Sequence, residues 1–208
     1  MDKIELQKPL EHPEGNIQLT FGKIARTLFN NFCIECGKKT YYFAEIEFYY
    51  YKEGVLCDTI TYKRNGYNVG DLFFHLSGVD ICFDSTLDEY GGILIRSIYD
   101  AERNMVITGP MNSLVAMLNS CENNVMPKLK ENNLSRVVSI ESTYRYFGDD
   151  DRKKILNRIR NVKNSDQKNK DGDNQFAFYD ASIEKDKWDT INESGKKKYY
   201  YTHRFVYK

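Results

Sequence analysis

Hydrophobic residues follow two different rhythms along the chain. Between residues 21 and 31 the side chains Phe21, Ile24, Ala25, Leu28 and Phe29 recur every three or four positions, which predicts a helix with one buried stripe. From residue 40 to 51 aromatic and β-branched residues crowd together and predict a long strand. Shorter strands are predicted over 72–76, 79–83 and 93–99, with glycine-containing breaks between most of them. Thr108-Gly109-Pro110 opens a second helix, with the proline near its first turn and Leu114, Val115, Met117 and Leu118 as its apolar face. A third helix is predicted over 149–162, where three aspartates precede a basic stretch carrying Ile155, Leu156, Ile159 and Val162. Residues 1–16 read as an extended lead-in, 163–174 as a mobile polar loop and 199–207 as a closing strand. Strands cluster early and helices are interspersed without a βαβ rhythm. The pattern therefore predicts an α+β fold with a mixed or antiparallel sheet, in one domain over 17–208.

Composition changes this picture little. A chain of 208 residues can bury a sizeable core, and 30 basic against 30 acidic side chains give no global signature of nucleic-acid binding. Residues 152–208 carry 15 Lys and Arg against 8 Asp and Glu, a mild basic bias that fits a solvated surface as readily as a phosphate track. Five cysteines at irregular spacing argue against a disulfide framework. No apolar run follows the N-terminal Met-Asp-Lys-Ile-Glu-Leu, and none elsewhere is long enough to span a bilayer. A cytoplasmic, monomeric protein without membrane contact is expected.

Candidate chemistry begins in the long strand. Alternation puts Glu45, Glu47 and Tyr49 on one face and Ala44, Ile46 and Phe48 on the other. Taken alone, the segment fits an edge strand whose glutamates face water; a buried carboxylate there would need hydrogen bonds or a task. Arg96, set in Ile93-Leu94-Ile95-Arg96-Ser97-Ile98, shares a strand face with Leu94 and Ile98 and is hard to bury without a partner. It is either half of a structural ion pair, with Glu45 as a candidate, or an anchor beside an anionic group. His75 and Asp84 sit in or at the end of apolar strands. Cys33 and Cys36 resemble half a zinc knuckle, but the remaining ligands would have to come singly from Cys57, Cys82 and His75, so free thiols are the default.

In this order the motifs resemble the alkyladenine (3-methyladenine, methylpurine) DNA glycosylase family. Ile24-Ala25-Arg26-Thr27-Leu28 is similar to that family's opening helix, and Ala44-Glu45-Ile46-Glu47-Phe48-Tyr49 to its V-E-T-E-A-Y strand. Gly70-Asp71-Leu72-Phe73-Phe74-His75-Leu76 with Gly78 resembles its G-x-x-Y-V-Y-x-x-Y-G strand pair, and Gly92-Ile93-Leu94-Ile95-Arg96-Ser97-Ile98 its x-V-L-I-R-A-L strand. Thr108-Gly109-Pro110 with Leu114, and Arg204-Phe205-Val206, match the family's later landmarks. The resemblance implies a curved, mostly antiparallel sheet flanked by helices. It also implies a metal-independent DNA N-glycosylase, without cofactor, that removes an alkylated or deaminated purine by base flipping in base excision repair. It assigns Glu47 as general base, Arg96 as the cation that positions the water, Tyr49 and His75 as the pair that sandwiches the base, and Asp84 as a pocket wall. The family's histidine and wedge tyrosine have no counterpart: Thr61 or Tyr62 stands in the place of the first, and Ser77 in that of the second. Single-stranded or distorted DNA is then the expected substrate. The alternative is an inactive module that binds a nucleobase or single strand on the same scaffold.

Overall fold

The computed structural model describes residues 17–57, 61–121, 125–132, 140–142, 176–184, 187, 189–191 and 197–199. The lead-in, the helix expected over 149–162 and the loop over 163–174 lie outside them, as does all of the closing strand but Tyr199. The described residues form an α+β single domain, a curled antiparallel half-barrel sheet with two helices.

Helix α1 (Ile17–Asn31) leads into the hairpin β1 (Phe32–Cys36) and β2 (Lys39–Lys52), then the short β3 (Leu56–Cys57). A second hairpin, β4 (Leu72–His75) and β5 (Gly78–Cys82), is followed by β6 (Glu89–Asp100), β7 (Met105–Thr108) and α2 (Pro110–Asn119). The later strands are β8 (Lys128–Glu131), β9 (Ile140–Ser142), β10 (Phe176–Asp180), β11 (Asp189–Ile191) and β12 (Lys197–Tyr199). The main sheet runs β4-β5-β6-β2-β1-β8, with β3, β7, β9 and β10 attached to this path; β11 and β12 pair separately.

The long strand β2 is central, so the edge-strand reading of its glutamates is corrected. Along one side it pairs with β6 from Tyr41 to Lys52; on the other side β1 takes its start, β10 its middle and β3 its end. Two register shifts interrupt the β2–β6 ladder: Phe43 faces Ile98, Glu45 faces Ser97 and Ile46 faces Ile95. Ala44 and Arg96 are thus the extra residues of two neighbouring bulges, which change the face of everything beyond them. Phe43, not Ala44, joins Ile46, Phe48 and Tyr50 in the core, and Ile98 joins Ile93 and Ile95 there while Arg96 turns away.

The core lies between that face and the helices. All five residues of the stripe on α1 are buried, and Phe21 stacks on Phe48 with ring centroids 4.4 Å apart. Phe48 meets Phe178 of β10 edge-on at 5.6 Å, tying a strand remote in sequence to the same aromatic cluster. On α2 the buried residues are Ser113, Leu114 and Met117; Val115 and Leu118, expected on the apolar face, are exposed. Cys33 and Cys36 lie three apart on a strand, which sends their side chains to opposite faces, and only Cys36 enters the core. That geometry differs from a knuckle of two thiolates curled toward one ion.

Candidate functional site

The site occupies the sheet face opposite the core. Residues directly paired across an antiparallel ladder share a face, and one such row runs over five strands: Phe73, Asp80, Leu94, Glu47 and Ala177. Glu45 and Ser97 form a row to one side of it, and Tyr49, Gly92 and Cys82 a row to the other. The apolar stretches of β2, β5 and β6 therefore fold into a surface that carries three carboxylates and, from β6 and the loop before β4, two guanidiniums.

Glu47 and Arg96 form the first cluster. The Arg96 Nη1 donates to Glu47 Oε2, and its Nε stands 3.8 Å from Glu45 Oε1. Ser97 Oγ donates to Glu45 Oε2 at 3.0 Å. Glu47 is 0% exposed, and its Oε1 accepts no hydrogen bond of ordinary geometry among the described residues. Burial is the largest influence on the Glu47 carboxyl and pushes it above the usual carboxylate range; Arg96 opposes this, Glu45 adds to it, and hydrogen bonding from Tyr49 and Arg96 works against it. Glu45 is pushed up to about 6, again chiefly by burial, against Arg96 and the Ser97 hydroxyl. The β6 bulge aims Arg96 at both acids. This brings the expected base and its expected cation into direct contact.

A second cluster is built from Arg64, Asp80 and His75, of which the sequence pattern singled out only the histidine. Arg64 leaves its loop, crosses the sheet over Gly92 and is 1% exposed. Its Nη2 donates to Asp80 Oδ2, and its Nη1 to the carbonyl of Tyr62 at 2.6 Å. His75 Nε2 lies 3.2 Å from Asp80 Oδ1, while its Nδ1 accepts the N–H of Ser77 at 3.2 Å. That pair of partners places the imidazole proton on Nε2. The ring stacks beside Phe73 at 5.6 Å and tilts toward Tyr62 at 5.2 Å, and the Arg64 guanidinium sits 5.6 Å over Phe73. Glycine at 92 is required for this: a Cβ there would stand 2.6 Å from Arg64 Nε. The Cys82 thiol beside this cluster is pushed up to about 12 by burial, the dominant influence, which leaves it a poor nucleophile.

The other expected site residues fall as follows. Tyr49 shares the face of Glu47 one row away, but His75 stands on β4, three strands from β2, about 14 Å across the sheet at ordinary strand spacing. Arg64 and the ring of Phe73 occupy the span between them. The rings that neighbour His75 are Phe73 and Tyr62, not Tyr49. Asp84 follows β5 and accepts the N–H of Ser85 at 2.9 Å; it lies four strand residues from the row of Asp80 and Glu47, about 13 Å along the sheet. Asp80 could have been read from the sequence by the logic that exposed Glu47, because it is an acid inside Val79-Asp80-Ile81-Cys82. Arg64 gave no such signal: it sits among Lys63 and Asn65 in a polar loop.

No group of His, Cys, Asp and Glu able to hold a metal occurs among the described residues, and no helix among them is long and apolar enough to cross a membrane. Comparison with protein-family models, curated proteins and solved structures gives no match.

Proposed function

We propose that the chain is a DNA N-glycosylase-like hydrolase that releases a damaged purine, with Glu47 as its general base. One observation carries the reading: a fully buried carboxylate, clamped by an arginine through one oxygen, keeps its other oxygen without a hydrogen bond of ordinary geometry. An arrangement of this kind suits the activation of one water molecule. In the reaction, the water oxygen forms a bond to the sugar C1′ and its proton passes to Glu47 Oε1. The C1′–N bond breaks, and its electron pair leaves with the base. Arg96 holds the carboxylate in place through Oε2 and sets its charge. Phe73, His75 and Tyr62 offer stacking faces on one flank and Tyr49 on the other. The order of motifs shared with the alkyladenine DNA glycosylases supports the same assignment of Glu47 and Arg96.

A second reading, a nucleobase- or single-strand-binding module that does no chemistry, draws on the complete burial of Glu47, which leaves water no open route to it in this conformation. One experiment separates the two. Wild-type and Glu47→Gln proteins are incubated with single- and double-stranded oligonucleotides carrying hypoxanthine, ethenoadenine or an alkylated purine, and abasic sites are scored by alkali cleavage. The hydrolase reading expects cleavage by wild type alone. Lesion-dependent binding by both proteins, without cleavage by either, would establish the binding module.

A further inference from the structure

We infer that Arg64 reads a hydrogen-bond acceptor on the bound base, so that the site prefers a purine with an exocyclic carbonyl, of the hypoxanthine kind, over one that lacks it. The inference rests on the base-binding reading above and narrows it. Two of the three guanidinium nitrogens of Arg64 are engaged, Nη1 by the Tyr62 carbonyl and Nη2 by Asp80. The third, Nε, is buried and donates to nothing among the described residues. An arginine N–H this deeply buried is costly to leave unmade, and Gly92 clears the space that lets it lie there.

The surroundings define the acceptor it would take. Asp80 already neutralises the guanidinium, so the remaining N–H acts as a directed donor and adds no net charge. Asp80 also holds His75 Nε2, and the Ser77 N–H holds Nδ1, so both ring nitrogens are engaged and the imidazole offers a stacking face. Phe73 and Tyr62 extend that aromatic panel. The panel grips a planar ring without regard to its edge, and the spare N–H supplies the edge contact. Gly92, under Arg64, is two residues along β6 from Leu94, the partner of Glu47. The donor and the base are thus about 7 Å apart along the strand, on the scale of a two-ring ligand. A purine carbonyl supplies an acceptor to Arg64. A purine without that carbonyl offers Arg64 no acceptor at the same position.

The test is binding, which does not depend on turnover. Fluorescence anisotropy would compare wild-type and Glu47→Gln proteins on single-stranded oligonucleotides holding one hypoxanthine, or one unsubstituted purine, which lacks the carbonyl and the N1 proton. The expected result is roughly tenfold tighter binding of the hypoxanthine strand, the scale of one satisfied buried hydrogen bond, with Arg64→Lys removing that preference. Equal affinity of wild type for the two strands overturns the inference and spares the base-binding reading, and needs no variant to fold. A folded Arg64→Lys protein that keeps the preference overturns it as well. Binding no tighter to either strand than to its undamaged counterpart sinks the base-binding reading and the inference together.

Discussion

A carboxylate with no exposure beside a guanidinium is held by two opposed effects, the cost of desolvating charge and the attraction of its partner. Here the cost wins for Glu45, whose carboxyl is pushed up to about 6 from an ordinary 4.5. The sign of the linkage follows. Between about pH 4.5 and 6 the unfolded chain releases this proton first, so the folded state loses stability as pH rises through that window, by about 2 kcal/mol in all. Glutamine cannot titrate, so the difference in Tm between Glu45→Gln and wild type should grow in the variant's favour from pH 4.5 to pH 7. A gap that stays constant would contradict the assignment. Glu47 must be ionised to act as a base, and its raised pKa should put the acid limb of the rate profile above the usual carboxylate range. Replacing Arg96 with alanine leaves Glu47 buried beside an unbalanced charge and should cost about 3–5 kcal/mol by chemical denaturation. At this scale Glu47 and Arg96 were legible because each is a charged residue inside an apolar strand. Arg64 was not, because its burial comes from a tertiary crossing that local pattern cannot encode.

Among the elements, the β2–β6 pair does most to place the site, and its two bulges convert a regular ladder into one that aims Arg96 at Glu45 and Glu47. Strict alternation predicted the faces of Glu45, Glu47, Ile46 and Phe48 but misplaced Ala44 and Ile98. An extra residue leaves no mark in a two-residue period. The strands 72–76, 79–83 and 93–99 were visible through their apolar density, as was the stripe on α1. The strands β8 and β10 were hidden, since Lys128-Leu129-Lys130-Glu131 is mostly charged and β10 owes its place to partners far along the chain. Gly91 and Gly92 offer a test of the packing. A Cβ on Gly91 would meet the Tyr49 carbonyl oxygen at 2.5 Å, backbone that cannot yield, whereas at Gly92 it meets the Arg64 side chain. Gly92→Ala should cost about 1–3 kcal/mol through displacement of Arg64, and Gly91→Ala should cost more. Unfolding free energies from urea titration within about 0.5 kcal/mol of wild type for both, the range of ordinary surface changes, would show that the face is not packed as described.

At the scale of the molecule, one aromatic core joins α1, β2 and β10, so the site face rests on contacts distant in sequence. Phe21 touches Phe48, Tyr50 and Phe83, and Phe21→Ala should cost about 3–5 kcal/mol, a large part of a domain's total stability. Thirty basic and thirty acidic side chains balance, which shifts the expected weight of recognition from phosphates to the base. The slope of log affinity against log salt on a single strand should therefore be shallower than about −3, against about −4 or steeper for a protein that makes six or more phosphate contacts. The measurement that bears most directly on the whole account is abasic-site formation on a hypoxanthine-containing single strand, under single-turnover conditions, by wild type and by Glu47→Gln. Alkali-labile product from wild type, with none from the folded variant, is the predicted result. Equal product from both proteins would contradict the role of Glu47, and none from wild type would contradict hydrolysis of this base at the Glu47–Arg96 centre.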